Sequence, residues 1–314
     1  MSNGEWQEIG RWLREANRIL VCSHIRPDGD AIGSLLGLGN ALREAGKEVQ
    51  TVLSDGLPAS FRYLTGGHQV VKKASGTFDL TVVLDCSDLG RVGTAIDGYG
   101  PPDINIDHHI TNLNFARLNL VEPEAVATSA ILGEYLPRWG YALSPAVAAA
   151  LLSGLISDTL GFRTSNMNPQ ALRLAANLME AGTDLPELYN RALGRRSFEA
   201  ACYWGQGLVK LERKGRVVWT SLTEADREAA GYPGNDDADL INVLSSIEDA
   251  DIAIIFVEQR GGKIKVSWRA APGVDVSTVA LRFGGGGHPA ASGAEIAGTM
   301  AEVQESVLSQ TLEL

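Results

Sequence analysis

The chain has 314 residues, 45% of them hydrophobic and 21% charged, with 27 Lys and Arg against 38 Asp and Glu for a net charge of -11. That size holds two ordinary domains or one large α/β domain, and the composition excludes a disordered chain, a collagen-like repeat and a coiled coil. The acidity opposes sliding along duplex nucleic acid, so any nucleic-acid ligand is expected to be short. Cys22, Cys86 and Cys202 form no CxxC pair and leave an odd count, which suits a reducing cytoplasm. The charged N-terminus lacks an apolar leader core, and no stretch approaches 18 uncharged apolar residues, so neither secretion nor a membrane span is expected.

In chain order, residues 5–17 carry Trp6, Ile9, Trp12 and Leu13 at helical spacing and predict an amphipathic helix. An apolar run at 19–22 reads as a buried strand. It leads into the polar loop Ser23-His24-Ile25-Arg26-Pro27-Asp28-Gly29-Asp30, after which residues 31–45 have the composition of a helix closed by Gly46. The pattern recurs, with strands predicted at 49–53, at 80–84 running into Asp85, and at 104–106 running into Asp107. Strands alternating with helical segments predict a doubly wound, mainly parallel α/β domain. Residues 125–195 read as mostly helical, with a polar break at 157–168 that carries Asp158. A second pattern begins near Gly215, with strands at 217–222, 252–257 and 264–268 and helices at 237–246 and 276–283. The expected organisation is a first domain over 1–190, a helical linker over 191–211, and a smaller α/β domain over 212–314.

Four of the five histidines stand beside aspartates or glycines at predicted loops. Alone, His24 reads as a turn or core residue and Asp28-Gly29-Asp30 as a turn. Together with Asp85, Asp107-His108-His109 and Asp158 they converge on the carboxyl edge of one sheet, where open α/β folds bind ligands. Five carboxylates gathered there would repel one another and be poorly solvated without cations. Mixed carboxylate and imidazole donors suit Mn²⁺ or another borderline metal, with Mg²⁺ also allowed, and the donors outnumber the needs of one ion. Asp85, alone on its strand end, is placed to bridge two metals, a pair that can bind phosphoryl oxygens and activate water. His68 has no such company and reads as a surface turn residue. Gly284-Gly285-Gly286-Gly287-His288 is the second strong feature: residues without Cβ let backbone N–H groups approach an anion, and His288 can donate to a phosphate. Arg269 and Arg163 are candidate phosphate contacts.

These residues resemble the DHH phosphoesterase superfamily, in particular its NrnA-like branch, which joins a DHH domain to a DHH-associated C-terminal domain. The segment Ser23 to Ser34 is similar to the family's first motif, Val83-Leu84-Asp85 to its second, Asp107-His108-His109 to its third and Asp158-Thr159 to its fourth. Val266-Ser267-Trp268-Arg269 and the Gly-rich segment with His288 resemble the substrate-binding signature of the C-terminal domain. The resemblance implies that His24, Asp28 and Asp85 hold one metal, and that Asp30, Asp85, His108 and Asp158 hold another. It implies that His109 acts beside them in catalysis or on the phosphate. Arg269, Gly285, Gly286, Gly287 and His288 would grip a nucleotide, with the active site in the cleft between the domains. The implied cofactors are two divalent ions, Mn²⁺ first, with Mg²⁺ or Co²⁺ as substitutes. The implied activity is hydrolysis of very short oligoribonucleotides to mononucleotides and of 3′-phosphoadenosine 5′-phosphate to AMP, in the cytoplasm. Alternatives are a cyclic or linear dinucleotide phosphodiesterase and, further off, a non-catalytic nucleotide-binding regulator. Neither long duplex nucleic acid nor membrane is an expected partner, and a homodimer is left open. Pro289 and Ser292 depart from the usual NrnA-like pattern, which bears on substrate preference. The basic C-terminal segment of a family II inorganic pyrophosphatase is absent, and the chain leaves no room for the added OB domain of a RecJ-type exonuclease.

Overall fold

A computed structural model describes residues 4–194 and 196–314, which fall into two compact units, Met1–Arg195 and Arg196–Leu314. The first contains α1 (Glu5–Glu15), β1 (Arg18–Cys22), α2 (Gly29–Glu44), β2 (Glu48–Val52), β3 (Leu80–Leu84), β4 (Ile104–Asp107), β5 (Leu118–Val121), α3 (Thr128–Arg138), α4 (Pro145–Asp158), α5 (Pro169–Glu180) and α6 (Leu185–Tyr189). Its five strands run in the order β2-β1-β3-β4-β5, every pair parallel. The order reverses between β1 and β3, and that reversal opens a crevice at the strands' carboxyl ends.

The winding is uneven. Ile19, Val21, Val82, Leu84, Ile104 and Ile106 point into one large core with α1 to α5. On the opposite face, Leu20, Cys22 and Val83 are covered by Val92, Ala95 and Ile96 from a stretch without α-helix. Within the helical layer, α2 and α4 nearly touch along their backbones: a Cβ added at Gly33 would lie 2.6 Å from the Ala150 carbonyl oxygen and 2.7 Å from Gly154 Cα.

Two details differ from the sequence expectation in this unit. The strand β5 is not anticipated, because Leu118–Val121 is four residues long, alternates with asparagine and stands at a sheet edge. Asp158 lies not in a polar break but at the last residue of α4. The chain turns only afterwards, through Leu160, Gly161 and Phe162, all with positive φ.

The second unit comprises α7 (Phe198–Leu208), β6 (Glu212–Lys214), β7 (Val217–Leu222), α8 (Glu224–Ala230), α9 (Leu240–Leu244), β8 (Ile252–Gln259), β9 (Lys263–Ala270), α10 (Ser277–Arg282), β10 (Gly286–His288), β11 (Ala291–Ala297) and α11 (Met300–Thr311). Its mixed sheet has the order β10-β11-β9-β8-β7-β6, with only β7 and β8 parallel. The stretch read as a linker forms α7, whose Ala200 and Tyr203 are buried with Val218, Leu222 and Ile255 of this unit. The end of the glycine tract enters the edge strand β10. It pairs with β11 through a two-residue turn at Pro289 and Ala290.

Among the described residues, no helix is long and apolar enough to cross a membrane.

Candidate metal centre

Three strand ends and one helix end build the centre. The loop after β1 supplies His24, only 2% exposed, and Asp28, the N-cap of α2, whose Oδ1 accepts from the backbone N–H groups of Asp30 and Ala31. That bond leaves Oδ2 of Asp28 turned toward His24, 3.8 Å from its Nε2. Asp30 follows within the first turn of α2. Asp85 stands after β3 at φ +52, a left-handed conformation that costs energy for any residue but glycine and is tolerated best by Asp and Asn. Its backbone N–H donates to the Ile106 carbonyl, which holds the strained residue at the sheet edge. Asp107 ends β4, and His108 and His109 come next.

Donor atoms of these residues gather into three overlapping sets, each within 4.8 Å: His24, Asp28 and Asp85; Asp30, His108 and Asp158; and Asp85, His108 and His109. The Nε2 atom of His24 lies 3.5 Å from Oδ2 of Asp85, while Nε2 of His108 lies 3.7 Å from both Oδ1 of Asp85 and Oδ2 of Asp158. The opposite nitrogens of the two rings are bonded to backbone: Nδ1 of His24 donates to the Ile25 carbonyl at 2.8 Å, and Nδ1 of His108 to the Ala125 carbonyl at 3.3 Å. In the neutral ring such bonds place the proton on Nδ1 and leave Nε2 with a lone pair, the arrangement a metal-binding imidazole needs.

Asp107 has another use. Its Oδ1 accepts from the His108 backbone and from Nδ1 of His109 at 2.7 Å, and its Oδ2 accepts from the Asn112 side chain. Fully buried and committed to protein donors, it orients His109 and has little left to offer a cation. Arg163 is exposed beyond α4, and its Nε donates to the Leu160 carbonyl of its own loop.

In the second unit, β9 sets Arg269 opposite Ala291 of β11, and β10 sets His288 opposite the same alanine. Directly opposed residues of antiparallel strands share a face, so Arg269 and His288 flank a small residue in one row. Arg269 is half-buried, which pushes its pKa down, while Asp237 and Asp239 nearby oppose that shift. The glycines before His288 serve different ends. A Cβ at Gly285 would lie 2.1 Å from the Gly293 carbonyl oxygen, and one at Gly287, whose φ is +142, would lie 2.5 Å from that of Ala291. At Gly286 a Cβ would meet nothing within 4 Å. Ser292, one of the departures from the usual pattern, donates its hydroxyl to the His288 carbonyl at 2.8 Å and so ties the hairpin at its end.

The first unit matches the DHH family, N-terminal domain, over residues 18–155, and the second matches the DHHA1 domain over residues 225–313. The chain belongs to the DHH family. It is 34% identical over 306 residues to a protein of Thermus thermophilus named bifunctional oligoribonuclease and PAP phosphatase NrnA, covering 94% of this chain and 89% of that one. A protein of the same name from Mycoplasma genitalium is 28% identical, with 94% of each chain covered. The solved structure of an exopolyphosphatase-related protein from Bacteroides fragilis superposes with a TM-score of 0.92 at 27% identity, over 99% of this chain and 96% of that one.

The electrostatics of the DHH centre show why cations fit it. Burial and then the neighbouring Asp85 push Asp30 up to about 7. Burial and then Asp30 push Asp158 well above the carboxylate range. Burial would also raise Asp85, but His24, His108 and His109 outweigh it and hold that carboxylate far below its ordinary value. His108 is lowered by burial, yet Asp158, Asp85, Asp30 and Asp107 together bring it up to about 9. His24 is raised in the same way by Asp85 and Asp28. The group thus holds protons that a multivalent cation could replace. Nothing in the motif pattern singles out Thr128 and Ser129 at the start of α3. Their backbone N–H groups donate to the two oxygens of Asp30, at 2.6 and 3.0 Å, and the Thr128 hydroxyl donates to Oδ1 of Asp85. The available signal was a Thr-Ser pair opening a helix, where N–H groups without intrahelical partners attract carboxylates.

Proposed function

We propose that this DHH-family protein is a metal-dependent phosphoesterase, NrnA-like in action, that hydrolyses very short oligoribonucleotides to mononucleotides and 3′-phosphoadenosine 5′-phosphate to AMP in the cytoplasm. The observation that carries this reading is the set of three overlapping donor groups sharing Asp85 and His108. The names of the two NrnA relatives, which match over nearly the whole chain, support the substrate class. In this reading His24, Asp28 and Asp85 hold one divalent ion, and Asp30, Asp85, His108 and Asp158 hold the other, Mn²⁺ in preference to Mg²⁺ or Co²⁺. When bound, such a pair supplies charge neutralisation at phosphoryl oxygens and lowers the pKa of the attacking water.

The chain's own residues do the rest. Thr128 and Ser129 fix Asp30, and Thr128 fixes Asp85, so that the carboxylate oxygens keep their directions through turnover. Asp107 accepts from Nδ1 of His109 and so fixes the ring beside the metal ligands, where it acts on the phosphate. The row of Arg269 and His288, with the open backbone of Gly286 and the close-packed Gly285 and Gly287 beside it, binds the nucleotide. Arg163 contributes a second cationic contact to the substrate.

A panel under Mn²⁺ tests the reading: dinucleotide, pentanucleotide, 20-nucleotide RNA, cyclic di-AMP and 3′-phosphoadenosine 5′-phosphate. The expected order places the di- and pentanucleotides and 3′-phosphoadenosine 5′-phosphate above the others. Faster turnover of the 20-mer, or of the cyclic dinucleotide, overturns it.

A further inference from the structure

Outside the metal centre, the first unit has a groove of about 490 Å³ lined by Asp55, Leu57, Arg62, His68 and Lys72 over the glycines Gly56 and Gly67. Arg62, His68 and Lys72 are exposed, and none of them has a side-chain hydrogen bond or ion pair within the described chain. In a protein of net charge -11, two permanent cations and an imidazole gathered in one concavity, against a single carboxylate, are a local inversion of sign. Their positions are fixed by the backbone. Val71 bridges to Val52 of β2, exchanging hydrogen bonds with Thr51 and Leu53, and so anchors Lys72 beside the sheet edge. The Lys72 stem then lies over Gly56, where a Cβ would come within 2.9 Å of its Cε.

The groove adjoins the metal centre by two direct links. Asp55 accepts from the backbone N–H of Arg26, at φ +52 in the loop between His24 and Asp28. Phe61, next to Arg62, lies over Gly29 between the two aspartates of that loop, where a Cβ would come within 3.2 Å of its ring. We propose that this groove is a second phosphate site, which takes a backbone phosphate of an oligonucleotide whose scissile phosphate lies at the metals. The inference rests on the oligonucleotide reading above and deepens it. Arg62 supplies a planar, forked donor for phosphate oxygens and Lys72 a compact charge. An unphosphorylated dinucleotide carries a single phosphate, which lies at the metals and leaves none for the groove, so the groove acts as a length-sensing element that favours oligonucleotides longer than two.

The test compares Arg62→Ala/Lys72→Ala with the wild type on dinucleotide and pentanucleotide under Mn²⁺, over a range of salt concentrations. The double variant is expected to raise KM for the pentanucleotide about tenfold and leave the dinucleotide within twofold. It is also expected to flatten the salt dependence of kcat/KM for the pentanucleotide by a slope of about one, as loss of the contacts that neutralise one phosphate requires. Arg62→Lys/Lys72→Arg, which keeps the charge, is expected to restore most of the difference. Equal losses on both substrates, or an unchanged pentanucleotide KM, overturn the site. Phosphate or AMP inhibition that vanishes in the variant while pentanucleotide turnover stays intact assigns the groove to free anions and overturns it also. Should the wild type hydrolyse neither oligonucleotide, the functional reading falls by itself. The groove is then judged by fluorescence anisotropy of a labelled pentanucleotide, where equal affinity of wild type and double variant rejects it.

Discussion

In the proposed function, the metal edge of the first sheet and the β10–β11 hairpin of the second prepare for negatively charged ligands by opposite means. The edge crowds titratable side chains into a buried space in which they conflict: Asp30 and Asp158 are forced upward, and His108 retains its proton to about 9. The hairpin removes side chains instead, leaving glycine backbone beside one arginine and one histidine in register. The first arrangement is incomplete without cations, whereas the second is satisfied as it stands. Removing a donor from the edge should therefore damage chemistry and metal content together, and disturbing the hairpin should damage binding or local stability.

The largest effect is expected from Asp85→Ala, which removes the one carboxylate common to two donor sets. A fall in kcat/KM of about 10³-fold or more, with loss of bound metal measured by elemental analysis, is expected. Retention of activity and of two metals would remove Asp85 from the bridging role.

Next comes Asp107→Asn, which preserves shape but presents an amide where the His109 proton is now accepted. A loss of about 10- to 100-fold in kcat with metal content unchanged is expected, the scale typical of residues that orient a site. Loss of metal along with rate would instead make Asp107 a ligand.

The third prediction concerns pH. In the cation-free centre His108 is protonated below about 9, and only its neutral ring can ligate, so binding must expel a proton. Apparent Mn²⁺ affinity should rise with pH between 7 and 9, by up to about tenfold per unit for one proton released. Calorimetry in buffers of different ionisation enthalpy measures that proton directly, and a flat profile would contradict the crowding described for the edge.

The smallest effects separate two neighbouring glycines. Gly287→Ala places a Cβ 2.5 Å from a carbonyl oxygen at an unfavourable φ and should destabilise the protein by about 1–3 kcal/mol. Gly286→Ala meets open space, so melting should be unchanged while oligonucleotide KM rises a few-fold. An equal thermal penalty for both would erase the distinction between a packed glycine and one that faces open space.

How much of this was legible in sequence follows the same divide. The polar residues of the edge could be read because their types are rare and stand at strand ends: His24, Asp85 and His108 announce themselves beside apolar runs. The strand Leu80–Leu84 was legible to the residue because it is five consecutive apolar or β-branched positions, all buried. By contrast, β10 and β11 are built mostly of glycine, alanine and serine, whose intrinsic strand preference is low, and they form because the sheet pairs them. The half-buried end of α4 is misread for a related reason. Ser157 and Asp158 look like a helix stop, yet the helix carries Asp158 inward before the left-handed turn at Leu160 ends it. Thr128 and Ser129 act through backbone N–H groups, a contribution invisible in residue type.

The near-contact of α2 and α4 has a consequence for heredity. Gly33 and Gly154 carry no polar side chain, yet they set the distance between the helices that bear Asp30 and Asp158, and a methyl on Gly154 would come within 2.9 Å of Oδ1 of Asp30. A genetic screen for inactive alleles should accordingly recover alanine or serine at these glycines alongside the expected losses of histidine and aspartate. Lineages that keep every ligand but enlarge either glycine would have to move a helix to remain active.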